Sequence, residues 1–241
     1  MKDEYVNYLK QNLPKEELDE GLRKLKMGIS PQYIVGNVNF YGNEIIVNPN
    51  VLIPRFETEL LVEKTISYIK DRFPDIDKLD ILDIGTGSGC IAITLKKELS
   101  SRVVACDKSK EALEVASCNA IHNDVSISFV LSDIFSNING CFDVIISNPP
   151  YIRENEDIDD MVKRNEPHMA LYAPSDGLYF YREILKNCKK YLKNKFMIAF
   201  EIGELQGKDV SSLAYQYLDH ISVIIEKDYS NRDRFVFVFS K

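Results

Sequence analysis

The chain lacks long apolar runs. No stretch of its 241 residues approaches about 18 consecutive apolar side chains, the length that a membrane-spanning helix requires. The start, Met1 to Tyr5, is mostly charged and is not followed by the apolar core of a signal peptide. We therefore expect neither membrane insertion nor secretion, and we expect a cytoplasmic protein.

Clustered metal ligands and paired cysteines are also missing. The five cysteines are scattered without a CxxC pair, and the three histidines lie far apart in no ligand spacing. An odd, dispersed set of cysteines is typical of reduced core residues rather than of a disulfide framework or a zinc site. We expect no metal centre.

Basic residues are in deficit. Lys and Arg together number 30 against 37 for Asp and Glu, which gives a net charge of −7. A surface with this balance disfavours general binding of polyanions. We therefore expect no stable contact with nucleic acid.

The chain does contain a helical start followed by a hairpin. Apolar positions on both sides of Pro14 predict two short helices. The runs Val38–Tyr41 and Glu44–Val47 flank Gly42-Asn43, a two-residue turn typical of a β-hairpin. We divide the chain into a helical segment (1–30), a linker with the hairpin (31–50) and a main domain (51–241).

In the main domain the pattern alternates between helices and strands. A helical apolar stripe over Glu57–Phe73 comes first. The alternation that follows predicts an α/β fold, with a mostly parallel sheet covered by helices on both faces. The last two strands are joined by a short turn and must pair antiparallel. The predicted strands are Leu79–Ile84, Arg102–Asp107, Ile127–Val130, Val144–Ser147, Phe196–Phe200, Ile221–Ile225 and Arg234–Phe239, and the predicted helices are Gly89–Leu99, Lys110–His122, Asp176–Leu192 and one from about Gln206.

A glycine-rich loop, Asp83 to Gly89, joins the first of these strands to its helix. Its glycines allow a sharp turn and close approach to a ligand, and the helix N-terminus presents free N–H groups. A ligand-free turn and a dinucleotide site are the competing interpretations, but a dinucleotide site has the pattern GxGxxG, and here the third glycine comes one residue earlier. The residues expected to contact a cofactor are Gly85, Thr86, Gly87, Ser88 and Gly89.

Acidic residues end the next two strands. Asp107 lies 24 positions after Asp83, where a carboxylate can accept both ribose hydroxyls of a nucleoside, with a helix N-cap as its alternative role. Asp133 is placed to accept an adenine amino group, and Ile134 to cover the face of the ring. Without these neighbours, the stretch around Asp133 would be typical of a turn.

The most informative stretch is the tetrapeptide Asn148-Pro149-Pro150-Tyr151 after the strand Val144–Ser147, because ligands in open α/β sheets bind at such strand ends. The prolines fix φ near about −65° and remove two backbone donors. The Asn148 side-chain oxygen and the Pro149 carbonyl can then face a pocket as two fixed acceptors, which suit an incoming NH2 group. Tyr151 offers an aromatic face to a planar amide or base. Alone, the tetrapeptide is equally typical of a polyproline-like turn.

Together these stretches resemble the peptide chain release factor glutamine N5-methyltransferases, a family of the class I S-adenosylmethionine-dependent methyltransferases. The resemblance covers nearly everything after residue 30, and the Ile53–Arg55 segment is more specific to this family than the tetrapeptide. It implies a Rossmann-like sheet of seven mostly parallel strands with one antiparallel strand. The stretches that carry it are Tyr33–Gly36, Leu52–Glu59, Asp83–Gly89, Ser147–Tyr151, Arg164–Pro167 and Phe200–Gly203.

This resemblance implies methylation of the glutamine in the Gly-Gly-Gln loop of release factors, with S-adenosylmethionine as the cofactor. Asn148, Pro149 and Tyr151 would act on the amide, and Asn148 to Tyr151 together with Arg55 would bind the substrate. Arg55 and Glu57 would support the pocket mouth, or else form an ion pair at a helix start. We expect a monomer. The cofactor would contact Gly85 to Gly89, Asp107, Ile134 and Asn148.

Three other functions stay open. An adenine-N6 DNA or RNA methyltransferase would use the same tetrapeptide, the elbow Asn148–Tyr151, on a different NH2 group, but the acidic net charge argues against it. A dinucleotide-dependent oxidoreductase gives the tetrapeptide no task, and a catalytically silent cofactor-binding protein would leave it unused. We also expect the acidic run Glu154–Asp160 to be a solvated, mobile loop, and we hypothesise that the stretch from Arg153 to Pro174 closes over the target glutamine.

Overall fold

The computed structural model describes residues 2–241. Among these residues, no helix is both long and apolar enough to cross a bilayer. The helices are α1 (Asp3–Asn12), α2 (Leu18–Lys26), α3 (Pro31–Val35), α4 (Phe56–Arg72), α5 (Cys90–Leu99), α6 (Lys110–His122), α7 (Asp160–Asn165), α8 (His168–Leu171), α9 (Tyr179–Asn187) and α10 (Gly207–Tyr217). The strands are β1 (Asn37–Phe40), β2 (Asn43–Ile46), β3 (Asp80–Ile84), β4 (Arg102–Asp107), β5 (Ser128–Leu131), β6 (Phe142–Ser147), β7 (Ile152–Arg153), β8 (Tyr172–Ala173), β9 (Leu192–Glu201), β10 (Ile221–Lys227) and β11 (Asp233–Ser240).

The central sheet has seven strands in the order β10-β11-β9-β6-β3-β4-β5. Its neighbours pair in parallel except β11, which is antiparallel to both β9 and β10. This confirms the predicted α/β sheet with one antiparallel strand. The strand order reverses between β3 and β6, and ligands bind at the carboxyl ends of strands beside such a reversal.

Two apolar cores cover the two faces of this sheet. Successive strand residues point to opposite faces. Ile81 and Val144 therefore pack with α4, α5 and α6, whereas Leu82 and Ile145 pack with α9 and α10. Because both faces are buried, the strands form nearly continuous apolar runs, which makes them recognisable in the sequence.

Several predicted boundaries differ from the structure, among them the hairpin turn and the ends of one helix. The hairpin turns at Tyr41-Gly42 rather than at Gly42-Asn43, with φ of 50° and 78°. Asn43 instead pairs with Phe40, because its buried side chain hydrogen-bonds to Thr94 at 3.2 Å and to Lys97 at 2.8 Å. The helix predicted over Asp176–Leu192 ends as α9 at Asn187, and a 3-10 turn follows it. Leu192, the last residue of that predicted helix, belongs to β9 and pairs there with Phe142 of β6.

The polar stretch from Arg153 to Pro174 contains α7, α8 and the paired strands β7 and β8. Glu166, Leu171 and Tyr172 within it are buried. The acidic run Glu154–Asp160 is mostly exposed, as expected, whereas the rest of the stretch is held by these buried side chains. Its closure over a substrate stays a hypothesis.

Asn119 on α6 ties the hairpin to the glycine-rich loop. Its Oδ1 accepts a hydrogen bond from the Ile46 N–H at 2.7 Å, and its Nδ2 donates to the Ile46 and Ser88 carbonyls at 2.9 Å each. The side chain is fully buried. One amide therefore satisfies three backbone groups and fixes the loop against the hairpin. The division of the chain at residues 30 and 50 stays a prediction, although Phe40 and Ile45 of the hairpin already join the main core.

The variant Asn119→Leu keeps the volume of this side chain but leaves those backbone groups unpaired. We expect the free energy of unfolding to fall by about 3 kcal/mol, because each unpaired buried group costs roughly 1–3 kcal/mol. Urea denaturation measures the change. Asn187→Ala, which removes an exposed hydrogen bond to the Glu183 carbonyl at 2.8 Å, is the control, and its effect should stay within about 0.5 kcal/mol. Equal stability of the two variants would contradict the anchoring role.

Candidate active site

A cavity of about 390 Å³ opens at the carboxyl ends of β3 and β6. This volume lies within the range of about 300–1,000 Å³ that is typical of small-molecule sites. The predicted glycine-rich loop, strand-end acids and elbow all contribute to its wall. The predicted site residues that line it are Gly85, Thr86, Gly87, Ser88, Asp107, Asp133, Ile134, Asn148, Pro149 and Pro150, whereas Gly89, Tyr151 and Arg55 do not line it.

The glycine-rich loop brings its backbone to the cavity. The N–H groups of Gly85 and Thr86 donate to the Cys106 carbonyl at 2.9 and 3.0 Å, which holds the turn against β4. Gly87 has φ +53°, and no atom lies within 4 Å of the place where its Cβ would be. A ligand can therefore approach the backbone closely there.

Gly89 has a packing role. A Cβ on this residue would lie 3.1 Å from the Ala116 Cβ of α6, which is tighter than ordinary contact. The absence of a side chain lets α5 start directly against α6. Gly89 therefore shapes the loop without lining the cavity.

Asp107 organises the loop from the neighbouring strand. Its Oδ2 accepts a hydrogen bond from the Gly87 N–H and its Oδ1 from the Ser109 N–H, both at 2.9 Å. Burial raises its pKa, and these backbone donors oppose the shift. The cap of α6 is Ser109, whose hydroxyl accepts from the Ala112 N–H at 3.1 Å. Each carboxylate oxygen of Asp107 keeps a lone pair, which suits the two hydroxyls of a ribose.

Asp133 and Ile134 form the next part of the wall. Asp133 Oδ2 is paired with Lys108 Nζ at 2.6 Å, and both side chains are largely exposed. Ile134 has φ +53°, a conformation that β-branched residues rarely adopt. Its carbonyl accepts hydrogen bonds from Ser132 Oγ at 3.1 Å and Cys106 Sγ at 3.5 Å. Such backbone strain is concentrated at functional sites.

The elbow is oriented by a chain of hydrogen bonds. Asn148 Nδ2 donates to Thr58 Oγ1 at 3.0 Å, and Thr58 Oγ1 donates to Glu201 Oε2 at 2.7 Å. Asn148 Oδ1 and the Pro149 carbonyl accept no hydrogen bond from residues 2–241. Both residues line the cavity. The side-chain amide thus uses its donor inside the protein and keeps its acceptor for a ligand.

Tyr151 lies behind the elbow. Its carbonyl accepts a hydrogen bond from Gln206 Nε2 at 3.3 Å, and its ring passes 3.5 Å from the place where a Cβ on Gly203 would be. Burial raises the pKa of its hydroxyl, so the phenol is neutral. In this structure its ring packs against protein.

Arg55 lies at the start of α4 and contacts the segment before α8. Its Nη2 pairs with Glu166 Oε1 at 2.6 Å rather than with Glu57. Glu166 is nearly fully buried, and its second oxygen accepts from the Ile53 N–H at 3.1 Å. The pair clamps the Ile53–Arg55 segment, which precedes α4.

Sequence reasoning did not single out Thr58, Glu166 or Glu201. Thr58 and Glu201 are 143 positions apart, so only the folded chain shows that they touch. One signal was present, since Glu201 is an acidic residue directly after an apolar strand run. Such a residue at a strand's carboxyl end faces the ligand edge of the sheet.

Three comparisons place the chain among known proteins. The family described as "Methyltransferase small domain" matches residues 58–170. A "Release factor glutamine methyltransferase" of Bacillus subtilis is 39% identical over 235 residues, which cover 94% of this chain and 82% of the relative. A protein of the same description from Bacillus anthracis is 40% identical over 224 residues, covering 90% of this chain and 79% of the relative. A solved methyltransferase from Pyrococcus furiosus has a TM-score of 0.61 at 20% identity, covers 83% of this chain and 89% of that one, and supports the fold.

The variant Asp107→Ala removes the acceptors that hold Gly87 and Ser109. We expect the affinity for S-adenosylmethionine to fall about 10- to 100-fold, because hydrogen bonds to a charged group contribute about 1.5–3 kcal/mol. Isothermal titration calorimetry measures the affinity. Glu114→Ala, at an exposed position of α6, is the control and should bind like the wild type. An unchanged affinity in Asp107→Ala would show that Asp107 does not contribute to cofactor binding.

Proposed function

Because the chain belongs to the family of release factor glutamine methyltransferases, we propose that it methylates the side-chain amide nitrogen of the glutamine in the Gly-Gly-Gln motif of peptide chain release factors. The chain is a methyltransferase that uses S-adenosylmethionine. One observation carries the proposal: Asn148 donates its amide hydrogen to Thr58, its oxygen and the Pro149 carbonyl accept no hydrogen bond from residues 2–241, and both residues line the cavity.

The residues around the cavity fit the cofactor. S-adenosylmethionine, when bound, supplies a methyl group on a sulfonium sulfur that becomes a neutral thioether after transfer. The open space at Gly87 admits a ligand against the backbone, and the lone pairs of Asp107 suit ribose hydroxyls. We assign Ile134 to the face of the adenine ring and Asp133 to its amino group.

The elbow supplies what an amide substrate needs. An amide nitrogen is a weak nucleophile because its lone pair is delocalised into the carbonyl. Two acceptors that hold both N–H bonds favour a pyramidal nitrogen, and they stabilise the transition state more than the ground state. Asn148 Oδ1 and the Pro149 carbonyl fill this role. The nitrogen forms its new bond to the methyl carbon, and its surplus proton passes to water.

The remaining predicted substrate residues support the elbow. Pro150 lines the cavity beside Pro149, and Tyr151 packs behind them. Arg55 holds the loop before α4 through Glu166 and thereby shapes the mouth of the cavity. We propose a monomeric enzyme in the cytoplasm, where release factors act, without a stable nucleic-acid complex. The net charge of −7 supports the last point.

Labelled S-adenosylmethionine tests the choice of substrate. The enzyme is incubated with release factor, with release factor whose motif glutamine is changed to alanine, and with duplex or single-stranded DNA. We expect label on wild-type release factor alone. Label on DNA would support an adenine-N6 methyltransferase instead. Label on the release factor whose motif glutamine is changed to alanine would show that another residue is methylated.

The variant Asn148→Ala removes one of the two acceptors for the amide. We expect turnover of release factor to fall by at least about 100-fold, comparable with the loss of a transition-state hydrogen bond. Affinity for S-adenosylmethionine should be partly retained, because the glycine-rich loop and Asp107 are untouched. The Asn187→Ala variant serves as the activity control. Full turnover by Asn148→Ala would overturn the assignment of the elbow.

A further inference from the structure

Glu201 is buried next to the elbow and does not itself line the cavity. We propose that Glu201 is a positioning residue: its ionised carboxylate, acting through the Thr58 hydroxyl, keeps the Asn148 oxygen turned toward the substrate amide. The inference rests on the proposed function, since it concerns how the same elbow holds the glutamine.

Three elements bring these groups together. Glu201 is the last residue of β9, Thr58 lies in the first turn of α4, and Asn148 follows β6. Glu201 and Thr58 are only 2% and 3% exposed, so water does not compete for their hydrogen bonds. Thr58 Oγ1 lies 2.7 Å from Glu201 Oε2 and 3.0 Å from Asn148 Nδ2. The carboxylate itself does not line the cavity, so it acts through the other two side chains.

The number of hydrogens available for donation determines the direction of the hydrogen bonds that link Glu201, Thr58 and Asn148. An ionised carboxylate only accepts hydrogen bonds, and a threonine hydroxyl has a single hydrogen to donate. Thr58 therefore gives its hydrogen to Glu201 and can only accept from Asn148. If the Asn148 amide were turned over, two oxygens would face each other without a hydrogen between them. The ionised carboxylate thus selects one orientation of Asn148.

A protonated Glu201 removes this selection. Its O–H can donate to Thr58, and the Thr58 hydroxyl is then free to donate to Asn148 Oδ1. In the turned-over amide, the Asn148 NH2 group would face the NH2 group of the substrate glutamine, donor against donor. The productive orientation therefore depends on the charge of Glu201.

Burial raises the pKa of Glu201 to about 7, and the Thr58 hydrogen bond and the charge of Arg234 oppose the shift. Arg234 is itself held by Asp228 at 3.3 Å and by the Ile202 carbonyl at 3.2 Å. Tyr181 donates to the Glu201 backbone carbonyl at 2.8 Å, which leaves the carboxylate to Thr58. The charged groups that shift the pKa of Glu201 are Arg234 on β11, which lowers it, Glu57 on α4, which raises it, and Arg55 before α4, which lowers it. The charge of Glu201 in turn raises the pKa of three neighbouring groups, Tyr151, Tyr181 and Cys90.

Activity and stability should respond to pH in opposite directions. Because the pKa is raised, the folded chain holds a proton on Glu201 that the unfolded chain has released between the ordinary glutamate range and about pH 7. Stability from this group therefore falls as pH rises through that window. Turnover should rise around the upper end of that window, near about pH 7, as the carboxylate of the folded chain ionises and orients Asn148. A merely structural role would make turnover follow stability.

The pH profile of kcat for release factor, at saturating S-adenosylmethionine, tests the role of the charge. For wild type we expect kcat to rise between about pH 6 and about pH 8 by at least about twofold, the effect of losing the choice between two orientations, and by up to about tenfold, the change in ionised fraction for a group that titrates near the middle. Glu201→Gln cannot titrate and, like protonated Glu201, can either donate to or accept from Thr58, so its profile should be flat over this range, near the low-pH rate of the wild type. Burial also raises the pKa of Asp83 to about 7, and saturating cofactor keeps an effect of that residue on cofactor affinity out of kcat.

Variants of Thr58 test whether Glu201 acts on Asn148 through the Thr58 hydroxyl. Thr58→Val should lower kcat about 10- to 100-fold, with KM for release factor changed much less, because a misplaced acceptor acts mainly in the transition state. Thr58→Ser keeps the hydroxyl and should restore most of the rate. Thr65→Val on the same helix is the matched control, since the buried Thr65 hydroxyl has no hydrogen-bond partner among residues 2–241 and its loss should leave kcat unchanged.

The outcomes separate the two proposals. If the wild-type enzyme does not methylate release factor, the proposed function is wrong and the role of Glu201 falls with it. If it does, while Thr58→Val keeps the wild-type rate or Glu201→Gln keeps the wild-type pH profile, only the positioning role is overturned. A low rate for Thr58→Val, rescue by Thr58→Ser and a flat profile for Glu201→Gln support it.

Discussion

One threonine hydroxyl connects the three parts of the structure that must be aligned for chemistry. Through Thr58, the end of β9, the start of α4 and the elbow after β6 share a single hydrogen-bond chain. Its direction follows from counting hydrogens, because Glu201 can only accept when ionised. The Asn148 amide is thus held with its nitrogen toward Thr58, and its oxygen accepts no hydrogen bond from residues 2–241. The rest of the fold buries Thr58 and Glu201, so water does not compete for these hydrogen bonds.

The position of the site depends on the reversal of strand order between β3 and β6. The glycine-rich loop after β3 and the elbow after β6 therefore line one cavity, which can take a methyl donor and its acceptor together. Asp107 fixes the loop on one side, and Asn119 fixes it to the hairpin beneath. The Arg55–Glu166 pair clamps the segment before α4, which carries Thr58 in its first turn. Rigid placement of this kind is the main catalytic resource for a reaction without a covalent enzyme intermediate.

The sequence predicts most of the fold because its strands are buried on both faces and their apolar runs are unambiguous. It also predicts which loops meet, since parallel strands end at one edge. It does not predict Tyr41-Gly42 as the hairpin turn, because a tyrosine with positive φ carries no local signal. The strained Ile134 and the ordered stretch before α9 depend on distant partners such as Cys106 and Ile53. The contact of Thr58 with Glu201 spans 143 positions and is a product of the folded chain alone.

The most direct test of the account is a crystal structure of the protein with S-adenosylhomocysteine and a release-factor peptide that contains the target glutamine. We predict that the glutamine amide nitrogen lies about 2.7–3.2 Å from both Asn148 Oδ1 and the Pro149 carbonyl oxygen, with Asn148 Nδ2 still donating to Thr58. The account would be contradicted if the glutamine nitrogen were bound by other groups, or if the Asn148 oxygen faced Thr58 in the complex.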